Sequence, residues 1–123
     1  MARLSVEGSR SIYFEDLGGE GQALLMIHGW GMDNRCWDGV ILPLQAAGHR
    51  VITMDHRGCG RSDHDFENLG IAAIAGDVTA LVDHLALSSV VLNGWSLGGA
   101  VATHAASLLG ARCNGLVLTA GAS

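Results

Sequence analysis

One serine stands at the centre of a glycine-flanked pentapeptide, Gly94-Trp95-Ser96-Leu97-Gly98, that directly follows a short apolar run. A serine on a tight strand-to-helix turn can act as a nucleophile, because the turn pushes its hydroxyl clear of the sheet. The same turn leaves the Leu97 amide at a helix N-terminus, where it can donate to a developing oxyanion. We therefore predict that Ser96 is a nucleophile. A glycine-rich packing turn is the alternative.

A second segment, His28-Gly29-Trp30-Gly31, also follows an apolar run. Acyl transfer needs two amide donors at the oxyanion, and the glycines allow this loop to bend until a backbone N–H faces the serine. Trp30 is the predicted donor through its backbone amide, while its side chain also fits a core aromatic. We expect His28 to be a buried imidazole that braces the loop rather than an acid or base. Small residues that let backbone segments approach closely complete the predicted site: Gly29, Gly94 and Gly98.

A third segment runs from Asp55 to Ser62 and holds an aspartate, two arginines and two glycines. It matches neither G-x-G-x-x-G nor a phosphate-binding loop, and the chain contains no lysine to supply one. A structural turn tied by Asp and Arg hydrogen bonds is the prediction. His56 and His64 beside Asp63 and Asp65 lack ordered ligand spacing, so we expect a solvated loop and no metal site.

Composition narrows the classes of function. The chain has 123 residues with a net charge of −5, 49% hydrophobic and 15% charged residues, which excludes a disordered chain. The net acidity and the lack of a basic cluster argue against a nucleic-acid partner. A membrane span is not predicted, because the sequence contains no run of about 20 apolar residues. Three widely separated cysteines fit reduced thiols in the cytoplasm better than disulfides or a zinc site. No cofactor is expected.

Short apolar runs predict strands at residues 4–6, 11–15, 23–27, 50–54, 90–93 and 116–119, and helical spacing predicts helices at residues 36–47, 71–85 and 99–109. The first two strands should form an antiparallel hairpin. The alternation after it predicts an α/β fold, with a mostly parallel sheet and helices on both faces, in one domain over residues 1–123. Ligands of such sheets bind beyond the carboxyl ends of the strands, where all three glycine-rich segments lie.

Two helices carry more detailed expectations. In the helix at residues 36–47, Trp37, Val40, Ile41 and Leu44 should share one side, and Pro43 should kink the helix or start a second turn. In the helix at residues 71–85 the polar residues should lie on the surface: Asp77, Asp83 and His84.

The three glycine-rich segments together resemble those of the α/β-hydrolase superfamily, in order and separation, over nearly the whole chain. The first segment, the following Trp37 and the turn at Ser96 are similar to those of small carboxylesterases. The segment from Asp55 resembles that of general esterases, lactonases and cofactor-free haloperoxidases. Serine at position 96 departs from the haloalkane dehalogenase and epoxide hydrolase branches, which place Asp there, and from dienelactone hydrolases, which place Cys there.

The resemblance implies a catalytic triad in the order serine, acid, histidine. After Ser96 the sequence contains no Asp or Glu, and its only histidine is His104, inside a predicted helix. We therefore expect the N-terminal part of a hydrolase, an incomplete domain of about six strands without the last strands and the cap. The strand at residues 116–119 would then be an open edge through which the chain self-associates.

The expected function is that of a serine hydrolase that cleaves a small-molecule carboxylic ester, thioester or lactone through an acyl-enzyme. The triad acid and histidine would come from sequence outside this chain, because a serine hydroxyl needs an adjacent base to be activated. The alternative is a catalytically inactive, truncated chain or a module that binds a ligand or partner.

Overall fold

The central strands of the sheet are buried on both faces, and they are therefore continuous apolar runs in the sequence. The computed structural model describes residues 2–119, and its six strands form one sheet. The strands are β1 (Ala2–Glu7), β2 (Arg10–Asp16), β3 (Ala23–Ile27), β4 (Arg50–Met54), β5 (Val90–Trp95) and β6 (Cys113–Thr119), in the spatial order β1-β2-β4-β3-β5-β6.

The first two strands form an antiparallel hairpin, and β2 also runs antiparallel to β4. The remaining pairs, β4 with β3, β3 with β5 and β5 with β6, are all parallel. The carboxyl ends of β3, β4 and β5 therefore meet at one edge of the sheet, and each leads into one of the glycine-rich segments. The predicted mostly parallel sheet is confirmed.

Three α-helices cover the sheet: α1 (Asp38–Ala46), α2 (Ile71–His84) and α3 (Leu97–Leu109). Apolar residues of α2 and α3 pack with β2, β3, β4 and β5 into the larger core cluster. The smaller cluster contains Trp37 and, from α1, Ile41 and Leu44, packed on the other sides of β3 and β4. Helices on both faces of the sheet are thus confirmed.

The helix predicted at residues 36–47 is two elements. A 3₁₀ turn, Asn34–Trp37, precedes α1, and the Asp33 carboxylate caps it by accepting from the Arg35 amide at 2.9 Å. Pro43 does not interrupt α1. Val40 is 42% exposed, so it does not share the buried side of Trp37.

Asp77 is buried, which corrects the prediction that it lies on the surface. It follows Ile74 by three residues and precedes Leu81 by four, so it lies on the apolar side of α2. The Arg57 guanidinium donates to both carboxylate oxygens at 2.7 Å, and this ion pair raises the pKa of Arg57. A charge so deep in the core requires such a partner.

β6 is the last strand of the sheet, and within residues 2–119 no strand pairs with its outer edge. Three consecutive apolar residues, Leu116, Val117 and Leu118, are exposed there. Unpaired strand amides beside apolar side chains favour pairing with another chain.

Within residues 2–119, no helix combines the length and apolarity needed to cross a bilayer.

We predict that the 123-residue polypeptide self-associates through β6. Val117 is 46% exposed, and Val117→Lys should weaken association by placing a charge at the edge. Leu42→Lys is the matched control, because Leu42 is 74% exposed on α1, away from this edge. Sedimentation velocity over a concentration series measures the effect. A sharp, reversible melt of a monomer that is independent of concentration would contradict the prediction.

Candidate active site

Ser96 alone connects β5 to α3 and has φ 57° and ψ −121°. A positive φ at a residue with a side chain costs about 1–3 kcal/mol, so the surroundings must hold it. The Ser96 amide donates to the Thr119 carbonyl at 3.1 Å, and the Gly99 amide donates to the Ser96 carbonyl at 2.8 Å. The side chain is exposed, and its hydroxyl has no hydrogen-bond partner within residues 2–119. The serine is therefore presented to solvent at the tip of a strained turn.

The two flanking glycines sit where backbone segments cross. A Cβ at Gly98 would overlap the Ile27 carbonyl oxygen and lie 2.5 Å from the His28 carbonyl oxygen. A Cβ at Gly94 would lie 2.6 Å from the Gly98 carbonyl carbon. The first turn of α3 consequently passes the end of β3 at backbone contact, which only glycine allows.

The loop after β3 lies directly against the serine. A Cβ at Gly29 would be 3.3 Å from the Trp95 carbonyl oxygen and 3.4 Å from Ser96 Cβ. The Trp30 side chain is 55% exposed, so it is not a core aromatic. The Trp30 amide has no acceptor within residues 2–119, and the Leu97 amide, first in α3, has no acceptor inside the helix.

His28 and His56 form a fully buried pair, with ring centroids 3.9 Å apart. The His56 amide donates to His28 Nε2 at 3.0 Å, so the single proton of a neutral His28 ring is on Nδ1. That nitrogen lies 2.6 Å from the Gly29 carbonyl oxygen, and His56 Nε2 lies 2.7 Å from the His28 carbonyl oxygen. Burial lowers the pKa of His28 and lowers the pKa of His56 to about 3, so both rings are neutral.

The expectation that His56 belongs to a solvated loop is thus wrong. The His56 side chain packs against the loop after β3, because its ring N–H donates to the His28 carbonyl oxygen. His64, by contrast, is exposed. The sequence carried no signal for this contact, since the two histidines are 28 residues apart.

The segment after β4 is a structural turn, as predicted. The Asp55 carboxylate accepts from the Asn34 amide at 2.7 Å and from the Arg61 amide at 2.9 Å, which ties this segment to the loop after β3. The Ser62 hydroxyl donates to the Asp55 carbonyl at 2.7 Å. Within residues 2–119 no three His, Cys, Asp or Glu side chains are placed to hold a metal ion.

His104 lies on the exposed side of α3, eight residues after Ser96 and therefore about 12 Å along the helix axis. It is not adjacent to the serine. The described part of the site thus holds an exposed serine and two nearby amides without a base beside them.

The profile of the alpha/beta hydrolase fold family matches residues 22–123. The chain belongs to this family. It is 42% identical over 102 residues to a pimeloyl-[acyl-carrier protein] methyl ester esterase from Photobacterium profundum, covering 83% of this chain and 38% of that protein. A non-heme haloperoxidase from Rhodococcus erythropolis is 35% identical over 99 residues, covering 80% of this chain and 36% of that protein.

Among solved structures, an esterase from Exiguobacterium antarcticum superposes with a TM-score of 0.91 at 30% identity. The match covers 98% of this chain and 45% of the esterase. The family members that the chain resembles thus include esterases and haloperoxidases. The chain spans 31% to 38% of the length of the first curated relatives that it matches.

Replacing Gly98 tests the close crossing of α3 and β3. Gly98→Ala should lower the free energy of unfolding by about 2 kcal/mol or more, because its Cβ overlaps main-chain atoms that cannot move independently. Gly76→Ala in α2 is the matched control, since nothing lies within 4 Å of its new Cβ. That variant should gain about 0.5–1 kcal/mol from helix propensity. Urea unfolding measures both, and equal effects would contradict the crossing.

Acid should destabilise the protein through the buried histidine pair. The pKa of His56 is about 3 when folded and about 6.5 when unfolded. Its contribution is therefore complete above pH 6.5 and is lost as the pH falls towards 3, by about 2 kcal/mol between pH 7 and pH 5. Urea unfolding across this range should show the loss. His56→Gln should reduce the slope, and exposed His104→Gln should leave it unchanged; a slope that His56→Gln does not alter would contradict the assignment.

Proposed function

We propose that Ser96 is the nucleophile of a serine hydrolase that cleaves a small-molecule carboxylic ester, thioester or lactone. The Ser96 oxygen attacks the carbonyl carbon and gives its proton to a base. As the acyl-enzyme forms, the bond to the alcohol or thiol breaks and that group takes up the proton, and in a lactone the freed hydroxyl stays attached to the acyl group. Water then attacks the acyl group, releases the acid and regenerates the serine. The strained, exposed position of Ser96 at the start of α3 is the observation that carries this proposal.

The oxyanion of the tetrahedral intermediate would accept from the amides of Trp30 and Leu97. Both amides lack an acceptor of their own within the described residues, and the loop that bears Trp30 contacts the serine through Gly29. The N-terminal end of α3 adds a favourable dipole for negative charge. His28, Gly29, Gly94 and Gly98 would act as supports of the loop and turn.

The chemistry also needs a base to take the serine proton. His28 cannot serve, because it is buried and both its ring nitrogens are engaged, and His104 lies too far along α3. We propose that the triad acid and histidine come from a part of the protein outside these 123 residues. The relatives' greater length supports this reading.

The second candidate is a chain without catalysis that binds a ligand or partner. It is favoured by one observation, that no base lies beside Ser96 within residues 2–119. Both candidates share a cytoplasmic location in our proposal, supported by three free cysteines. Neither calls on a cofactor, a nucleic acid or a membrane.

Fluorophosphonate labelling of the natural protein, with intact-mass measurement and peptide mapping, tests the nucleophile. We expect one adduct on Ser96, absent in Ser96→Ala and retained in Ser88→Ala, which removes an exposed serine outside the site. Hydrolysis of a p-nitrophenyl ester should fall at least about a thousandfold in Ser96→Ala. An unlabelled protein that cleaves no ester, thioester or lactone would support the binding module instead.

A further inference from the structure

Two reciprocal hydrogen bonds join His28 and His56. The His56 main-chain N–H donates to the His28 ring, and the His56 ring donates to the His28 main-chain carbonyl. The first turn of α3 passes close to the same carbonyl, since a Cβ at Gly98 would lie 2.5 Å from the His28 carbonyl oxygen. The His28 main chain is thus bonded to the segment after β4 and lies close to the turn that carries Ser96.

The first of these bonds selects the tautomer of His28. A nitrogen that accepts from an amide carries no proton, so the His28 proton must be on Nδ1. Nδ1 then donates to the Gly29 carbonyl oxygen, which lies 2.6 Å away. The other tautomer would set two lone pairs against each other at Gly29 and two protons against each other at His56.

The Gly29 carbonyl and the Trp30 N–H belong to the same peptide unit. This unit is planar and trans, so its carbonyl and its N–H point in opposite directions. Whatever holds the Gly29 oxygen therefore sets the direction of the Trp30 amide. Further along the loop, the Asn34 amide is anchored on the Asp55 carboxylate at 2.7 Å, which limits movement of the loop's far end.

We propose that His56 is a positioning residue, which sets the direction of the Trp30 amide through the tautomer and ring position of His28. This inference rests on the proposed function, in which that amide binds the oxyanion. The His56 ring keeps the His28 carbonyl in place, and the His56 amide keeps the proton on His28 Nδ1. His56 itself does not contact the substrate.

Amide side chains provide matched variants, because Asn places its nitrogen near the position of a histidine Nδ1 and Gln places it near Nε2. His56→Gln retains a donor for the His28 carbonyl, whereas His56→Leu removes it. Likewise, His28→Asn retains a donor for the Gly29 carbonyl and His28→Gln does not. Leu81→Ala, a core variant in α2, is the control for lost stability alone.

Two readouts on the natural protein test the inference. Long-range ¹⁵N–¹H NMR should show His28 as the Nδ1–H tautomer and His56 as the Nε2–H tautomer near neutral pH. His56→Leu keeps the main-chain N–H that selects the His28 tautomer, so the tautomer should persist, but loss of the side-chain bond to the His28 carbonyl should shift the Trp30 amide resonance, and His56→Gln should restore that resonance. The rate of fluorophosphonate labelling at Ser96 should fall about tenfold or more in His56→Leu and His28→Gln. It should stay near the wild-type rate in Leu81→Ala, and His56→Gln and His28→Asn should each label faster than His56→Leu and His28→Gln.

Several outcomes would overturn the inference. These are an Nε2–H or doubly protonated His28 in the wild-type protein, or a His56→Leu variant with an unchanged Trp30 resonance and labelling rate. An equal loss of labelling in Leu81→Ala would also overturn it, since stability alone would then explain the effect. If the wild-type protein is not labelled at Ser96, the proposed function fails, and the NMR signals alone decide whether His56 positions the Trp30 amide.

Discussion

The first turn of α3 crosses the end of β3 so closely that main-chain atoms occupy the space where a side chain at Gly98 would lie. This crossing fixes the distance between two segments that come from different parts of the chain. One carries Ser96 and the other carries Gly29 and Trp30. Because both segments continue directly from paired strands of the sheet, their relative position is as rigid as the sheet itself. The strained backbone of Ser96 persists because these neighbours leave it no alternative.

The polar residues after β4 also stabilise the loop that follows β3 and the core beneath the sheet edge. The Asp55 carboxylate accepts from the main-chain amides of Asn34 and Arg61. Arg57 forms an ion pair with Asp77 inside the core. His56 is uncharged and contributes through hydrogen bonds alone. Each of these groups would be costly to bury without its partner. The segment therefore stabilises the fold through Arg57 and supports the loop beside Ser96 through Asp55 and His56.

Much of the architecture was predictable, because it depends on local patterns. Continuous apolar runs marked β3, β4 and β5, and helical spacing marked α2 and α3 to within a few residues. The glycines around Ser96 predicted a tight turn. The prediction succeeded because the positions that have no room for a side chain, Gly94 and Gly98, are the glycines of the motif itself. The 3₁₀ turn before α1 was not predicted, because its start depends on the Asp33 cap rather than on apolar spacing.

The sequence by itself determined the order of the elements, the mostly parallel sheet and the placement of three glycine-rich segments at one edge. These follow from periodicity and from the conformations that glycine permits. Only the tertiary structure decided that Asp77 is buried, that His56 turns inward and that His28 carries its proton on Nδ1. Each of these depends on a partner at least 20 residues away in the chain. A polar side chain is buried only where the fold brings a hydrogen-bonding or ionic partner next to it, and the local sequence does not specify that contact.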